Sequence, residues 1–181
     1  MPSSRPPMVI VVGTSHTIQT ADLELQPFLD SLCQEFKIQA VAEEMNEEAL
    51  AENNCVASIP IRVANALQIP HRFCDPSRIE RAKLEIRQEN DIRISAFPST
   101  LSESEVAAHV AESHAKRERY WLKQLRSLNL WPVLFVCGAD HVPSFCRILK
   151  AEGIGVHIAA EDWASNSTVE RDAPQAARPS L

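Results

Sequence analysis

Apolar residues recur along this chain in two rhythms, and the switches between them mark out strands and helices. Continuous apolar runs at 8–12 (Met-Val-Ile-Val-Val) and 133–137 (Val-Leu-Phe-Val-Cys) predict strands buried on both faces. Shorter runs at 38–42, 70–74 and 155–159 predict three more. Between them, Leu25, Phe28, Leu29, Leu32 and Phe36 fall at helical spacing, predicting a helix over 23–36 capped by Asp22. Asn46 caps a short helix to Glu52, and Ser58 with Pro60 in the first turn opens another through Leu67. A charged helix is expected over 77–89 and a loop over 98–101. Ser102 or Ser104 then caps a long helix to about Leu128, and a helix over 143–152 stops at Gly153. Strands joined by helical crossovers must run mostly parallel. The expectation is a three-layer α/β sandwich with a mostly parallel four- to five-stranded sheet: one domain over 1–164 and a tail over 165–181, rich in Ala, Pro, Ser and charge and expected to be disordered.

The two long apolar runs end alike. The chain has only four glycines, and two of them begin Gly13-Thr-Ser-His16 and Gly138-Ala-Asp-His141, each directly after a strand. Glycine there is expected to give a sharp turn with positive φ, leaving each histidine on a loop at the carboxyl edge of the sheet. Ligands of open parallel sheets bind at that edge, so His16 and His141 are expected to build one site. The strand over 38–42 ends in Glu43-Glu44, which brings carboxylates to the same edge. Neighbouring strand residues point to opposite faces, so one of the two glutamates should enter the site and the other should not.

The long helix adds cations. Val106, Val110, His114, Arg117, Trp121, Leu125 and Leu128 share one face, so His114 and Arg117 interrupt an apolar stripe. Arg117 either snorkels past Trp121 or points into the site to hold a carboxylate or stabilise an oxyanion. Arg119, far round the helix, is the weaker candidate. Asp75, at the end of the strand over 70–74, and Arg78 and Arg81 beyond it suit an anionic substrate, but a helix cap with a solvated charged face explains them more simply. His71, His109 and His157 are read as structural or surface residues. Ser15 and Cys137 lack a nucleophile elbow, and Cys137 inside an apolar strand should be a poor thiolate.

Composition removes several function classes. With 45% hydrophobic residues in 181 the chain can bury a core, and a net charge of −6 argues against a nucleic-acid partner. Apolar runs of at most about five residues cannot span a bilayer. The start Met-Pro-Ser-Ser-Arg-Pro-Pro lacks the apolar core of a signal peptide, so a cytoplasmic location and no membrane partner are expected. The five cysteines lack CxxC spacing and read as reduced core residues.

Together, the two Gly-x-x-His motifs, the acidic pair, the arginine on the helix before the second motif, and the segment Cys-Gly-Ala-Asp-His-Val-Pro-Ser-Phe with Leu149 and Gly153 resemble the TIKI/TraB group. That group belongs to a wider superfamily with erythromycin esterase and ChaN-like proteins, and the resemblance spans residues 9–156. It implies an erythromycin-esterase/ChaN-like sandwich, with His16 and His141 as motif histidines, Glu43 or Glu44 as the acidic residue and Arg117 as the helix arginine. TIKI members are described as metal-dependent proteases, the esterase branch hydrolyses a lactone, and ChaN-like members bind haem.

Two imidazoles and a carboxylate also suit a divalent transition metal (manganese, cobalt or zinc) with an activated water. In that version His16, His141 and Glu43 or Glu44 hold the metal, the other glutamate acts as general base and Arg117 stabilises the oxyanion. In a metal-free version a glutamate and His16 activate water together. The leading expectation is a small cytoplasmic hydrolase of a small-molecule or peptide substrate. The alternatives are a binding module for haem, a metal complex or a small anionic ligand, and a regulatory protein whose site has decayed; Tyr120, the single tyrosine, lies off the apolar stripe and does not suit haem ligation.

Overall fold

A helix separates each strand from the next, so no two consecutive strands can form a hairpin and the sheet closes in parallel. The computed structural model describes residues 6–96 and 101–165. It contains five parallel strands, β1 (Met8–Thr14), β2 (Ala40–Glu43), β3 (His71–Phe73), β4 (Val133–Gly138) and β5 (Gly155–Ala160), in the order β3-β2-β4-β1-β5. The helices are α1 (His16–Ala21), α2 (Leu25–Phe36), α3 (Glu47–Glu52), α4 (Ile59–Leu67), α5 (Arg78–Lys83), α6 (Glu89–Ala96), α7 (Glu103–Leu128) and α8 (Val142–Ala151). Among the described residues no helix is long and apolar enough to cross a membrane.

Strand alternation sorts the core into two halves. Val9, Val11, Ala40, Ala42, Val133 and Phe135 lie under Trp121, Leu122 and Leu125 of α7 and Phe145 and Leu149 of α8. Ile10, Val12, Val41, Leu134 and Val136 face the other way, under Leu25, Leu29 and Leu32 of α2 and Ile59 and Val63 of α4. Helices thus cover both faces. The crossover leaving β4 runs over one face, while those leaving its neighbours β1 and β2 run over the other. Diverging connections of this kind open a crevice at the carboxyl ends of the strands.

Several elements differ from expectation for local reasons. The charged helix over 77–89 is two helices with a break at 84–88. Glu85 turns left-handed (φ 55°), Ile86 is buried, and the Arg87 backbone exchanges hydrogen bonds with the Ser113 hydroxyl. Burying Ile86 and pinning Arg87 to α7 outweighs the helix propensity of the charged run. The loop after Gly13 is instead helix α1, capped by Ser15 and anchored by buried Ile18 and Gln19. Asp22 closes α1 rather than opening the next helix, which starts behind Glu24. Ser102, not Ser104, caps α7 in a reciprocal capping box with Glu105. The expected disorder over 166–181 and most of the loop over 98–101 fall outside the described residues.

The motif glycines serve close approach rather than positive φ. Only Gly153 among the glycines is left-handed, whereas Gly13 and Gly138 have ordinary backbone angles. At Gly13 a Cβ would lie 1.9 Å from the Glu161 carbonyl oxygen, because the chain leaving β5 crosses the end of β1 there. Trp163 N–H donates to the Gly13 carbonyl at 2.7 Å, and the Thr14 hydroxyl donates to the Trp163 carbonyl at 2.9 Å. Gly13→Ala should therefore cost about 1–3 kcal/mol by displacing this crossing. Denaturant titration checks this, and a midpoint equal to wild type would show that the crossing gives way freely.

Candidate functional site

Strand register brings the sequence-predicted histidines to one place without making them equivalent. β1 and β4 pair so that Thr14 faces Gly138, which staggers the two Gly-x-x-His motifs by one residue. His16 is the first residue of α1, half exposed, whereas His141 ends a 3-10 turn (Ala139–His141) and is buried. Both imidazoles point their Nε2 atoms at the same oxygen. Glu44 Oε1 lies 3.6 Å from His16 Nε2 and 3.7 Å from His141 Nε2. Its other oxygen accepts the Gly138 backbone N–H at 2.7 Å, a contact that Gly138 admits because it has no side chain between.

Alternation decides between the two glutamates. Ala40 and Ala42 face α7, so Glu44 does too, while Glu43 follows Val41 to the opposite face. Glu43, proposed as a metal ligand from sequence, is buried away from the cleft. It accepts from Gln19 Nε2 at 2.5 Å and from the Ser58 hydroxyl at 2.6 Å, and lies 2.8 Å from His71 Nε2. His71, read as structural, is its partner there.

Arg117 points inward rather than out to solvent. Its guanidinium lies 3.0 Å from Glu44 Oε1, donates through Nε to Asp75 Oδ1 at 2.5 Å, and packs over the Trp121 ring at 5.4 Å. Asp75 also accepts from Arg81 and from Trp121 Nε1 (3.3 Å) and is buried. The simple reading of Asp75 as a helix cap is therefore replaced: Ser77 caps α5, with Glu80 completing the box. Arg78 pairs with Glu52 nearer the surface, and Arg119 is exposed. Arg81, Asp75, Arg117 and Glu44 form a row of alternating charge ending at the two imidazoles.

Glu118 was not singled out from sequence. It is buried with Oε1 2.8 Å from His141 Nδ1, and it accepts the Ser144 hydroxyl at 2.6 Å. Its signal was present in the spacing: Glu118 lies four residues after His114 and three before Trp121, so a carboxylate sits on the apolar stripe of α7. His114 closes the group, its ring 4.5 Å from that of His141, and Trp121 backs His141 at 4.8 Å. The cleft over these groups has a volume of about 220 Å³, bounded by His16, Glu44, Arg81, His114, Arg117 and His141. A second lobe of about 280 Å³ shares His16, Glu44, Arg81 and Arg117 and runs along α3 past Glu48 and Asn53.

Burial works against the Glu44 charge, but Arg117, His16 and His141 outweigh it and hold the carboxyl down at about 2. The Glu44 carboxylate raises His16 above the usual imidazole value against a smaller effect of burial. Burial, helped by His141, lowers His114. Burial drives the Cys137 thiol well up, which removes it as a nucleophile.

The groups as arranged do not fit a resident divalent metal. Arg117 and the Gly138 N–H already engage both oxygens of Glu44, and Glu43 faces away. Among the described residues no group of three or more His, Cys, Asp or Glu is placed to hold a metal ion. Comparisons with protein-family models, with curated proteins and with solved structures returned no match for the chain.

The depressed Glu44 value makes stability depend on pH. Its carboxyl holds a proton less readily folded, at about 2, than at its ordinary 4.5, so its stabilisation is complete above about pH 5 and fades as pH falls toward 2. At ~1.4 kcal/mol per pH unit that gap corresponds to about 3 kcal/mol. Urea titrations at pH 6 and pH 3 should show Glu44→Gln losing less stability on acidification than wild type. Identical losses would remove Glu44 from this account.

Proposed function

We propose that the protein is a small cytoplasmic hydrolase that attacks its substrate with water, with no resident metal taking part, in the cleft over His16, Glu44, Arg117 and His141. The observation that carries the reading is the convergence of two strand-end imidazoles and one guanidinium on a single oxygen of Glu44, beside an open cleft. His141 Nε2 and Glu44 Oε1, 3.7 Å apart, are spaced for a water that gives one hydrogen to each. His141 takes the proton as that water attacks a carbonyl carbon. Arg117 stays charged and steadies the oxygen that becomes negative, since its five N–H donors outnumber the contacts made by Glu44 and Asp75. His16, which the Glu44 carboxylate makes a better holder of its proton, returns a proton to the leaving group from the solvent side.

Elimination supports water as the nucleophile. The Ser113 hydroxyl is engaged with the Arg87 backbone, Ser144 serves Glu118, and Cys137 is buried and protonated. The resemblance to the TIKI/TraB group and the erythromycin-esterase/ChaN-like superfamily supports the same site, since its motif positions fall on His16, Glu43 or Glu44, Arg117 and His141, and of the two glutamates Glu44 is the one that lines the cleft. It also supports an ester, lactone or amide as the bond broken. The mixed polar lining of the two lobes suits a small molecule or a short peptide.

The test is a hydrolysis screen of nitrophenyl esters, lactones and peptide anilides with the untagged protein, with and without chelator. Turnover is expected to survive chelation, and His141→Ala to lower kcat by about 10²-fold to 10⁴-fold with its circular dichroism unchanged. Turnover abolished by chelator would restore the metal version. No turnover of any substrate, or full activity in folded His141→Ala, would defeat the hydrolase reading.

A further inference from the structure

His141 can serve as a base only if its Nε2 carries a lone pair, and a free imidazole more often carries its proton on that nitrogen. What reverses the preference lies beneath the ring. Glu118 is fully buried on α7, and both of its polar contacts fall on Oε1: the Ser144 hydroxyl at 2.6 Å and His141 Nδ1 at 2.8 Å. A carboxylate only accepts hydrogen bonds, so Nδ1, in hydrogen-bond contact with it at 2.8 Å, must hold a hydrogen, whereas Nε2 stands 3.7 Å from Glu44, beyond such contact. Among the described residues Oε2 is buried without a hydrogen-bond partner, so the carboxylate is committed to this one contact region. Trp121 on one side (4.8 Å) and His114 on another (4.5 Å) hold the ring. The ring cannot turn over to present Nδ1 to the cleft without taking from the buried Glu118 one of its two hydrogen bonds and leaving it the Ser144 hydroxyl alone.

We propose that Glu118 is the positioning residue of the site: with Ser144 it fixes the proton of His141 on Nδ1 and aims the Nε2 lone pair into the cleft. α7 thus supplies in consecutive positions the cation that neutralises Glu44 and the acid that orients His141. The geometry explains why Ser144, in the first turn of α8, turns inward. Its hydroxyl lies 2.6 Å from Glu118 and only 3.2 Å from the His141 carbonyl, tying the turn that bears His141 to α7. The catalytic consequence rests on the hydrolytic reading above; the tautomer does not.

The experiment is a two-dimensional ¹H–¹⁵N spectrum of the imidazoles in histidine-labelled full-length protein at pH 8, with His141→Gln to assign the ring. Wild type is expected to show His141 protonated at Nδ1 and unprotonated at Nε2. Glu118→Gln, whose amide oxygen can still accept, should keep that pattern, whereas Glu118→Leu should move the proton to Nε2. On a substrate from the screen, Glu118→Leu should lower kcat by about 10²-fold or more with KM little changed, and Glu118→Gln by less. A wild-type ring protonated at Nε2 would overturn the proposal whether or not the leucine variant folds, as would a folded Glu118→Leu protein that keeps the Nδ1 proton. The Nδ1 tautomer in a protein that hydrolyses nothing would uphold the role of Glu118 and defeat the hydrolase reading, so the two failures are distinguishable.

Discussion

One buried guanidinium holds the carboxyl edge of this sheet together. Arg117 lies between Glu44, which follows β2, and Asp75, which follows β3, and both carboxylates are buried. A buried ion whose partner is removed typically costs about 3–5 kcal/mol, so the arginine is what permits two acids at adjacent strand ends. Its own charge is made tolerable by the same two acids. Each member of the row from Arg81 to Glu44 depends on its neighbour, and the row ends where the two imidazoles begin.

The fold prepares that position. β4 lies between β1 and β2, and its crossover leaves over the opposite face, so the ends of the three strands are left uncovered. α7 fills part of the opening along its length: Trp121 and Leu125 bury the sheet, and the same helix carries Arg117 and Glu118 one turn earlier and His114 two turns earlier, at the strand ends. The apolar packing that fixes α7 is therefore also what fixes the charges. The glycines contribute by absence, since a Cβ on Gly13 would strike the chain leaving β5 and one on Gly138 would crowd Glu44.

Much of this was legible in the chain, and the rest was hidden for identifiable reasons. Apolar runs located all five strands, and the requirement for helical crossovers made the sheet parallel. The matched motifs placed His16 and His141 at one edge, although the shared Gly-x-x-His spacing concealed a one-residue stagger and two different local structures. Alternation stated that Glu43 and Glu44 must diverge; the direction depended on which face α7 would cover, a tertiary fact that no local pattern carries. Asp75 was undervalued because the Pro-Ser that follows reads so well as a helix start, and Ser77 does take that part. Glu118 was passed over because the flanking charges Arg117 and Arg119 make the segment look solvated, while its neighbours four before and three after lie on the buried stripe.

The most direct test of the central claim is a double-mutant cycle on Glu44 and Arg117, measured by urea unfolding at pH 7 with Glu44→Gln, Arg117→Met and the double variant. If a shared buried charge organises the strand ends, Arg117→Met strands the Glu44 carboxylate and Glu44→Gln takes from Arg117 one of its two acids, so the double should be more stable than the sum of the two losses predicts, by roughly 2–3 kcal/mol. Losses that add to within about 0.5 kcal/mol would mean that the two side chains do not depend on each other, and the account of the site built on them would be contradicted.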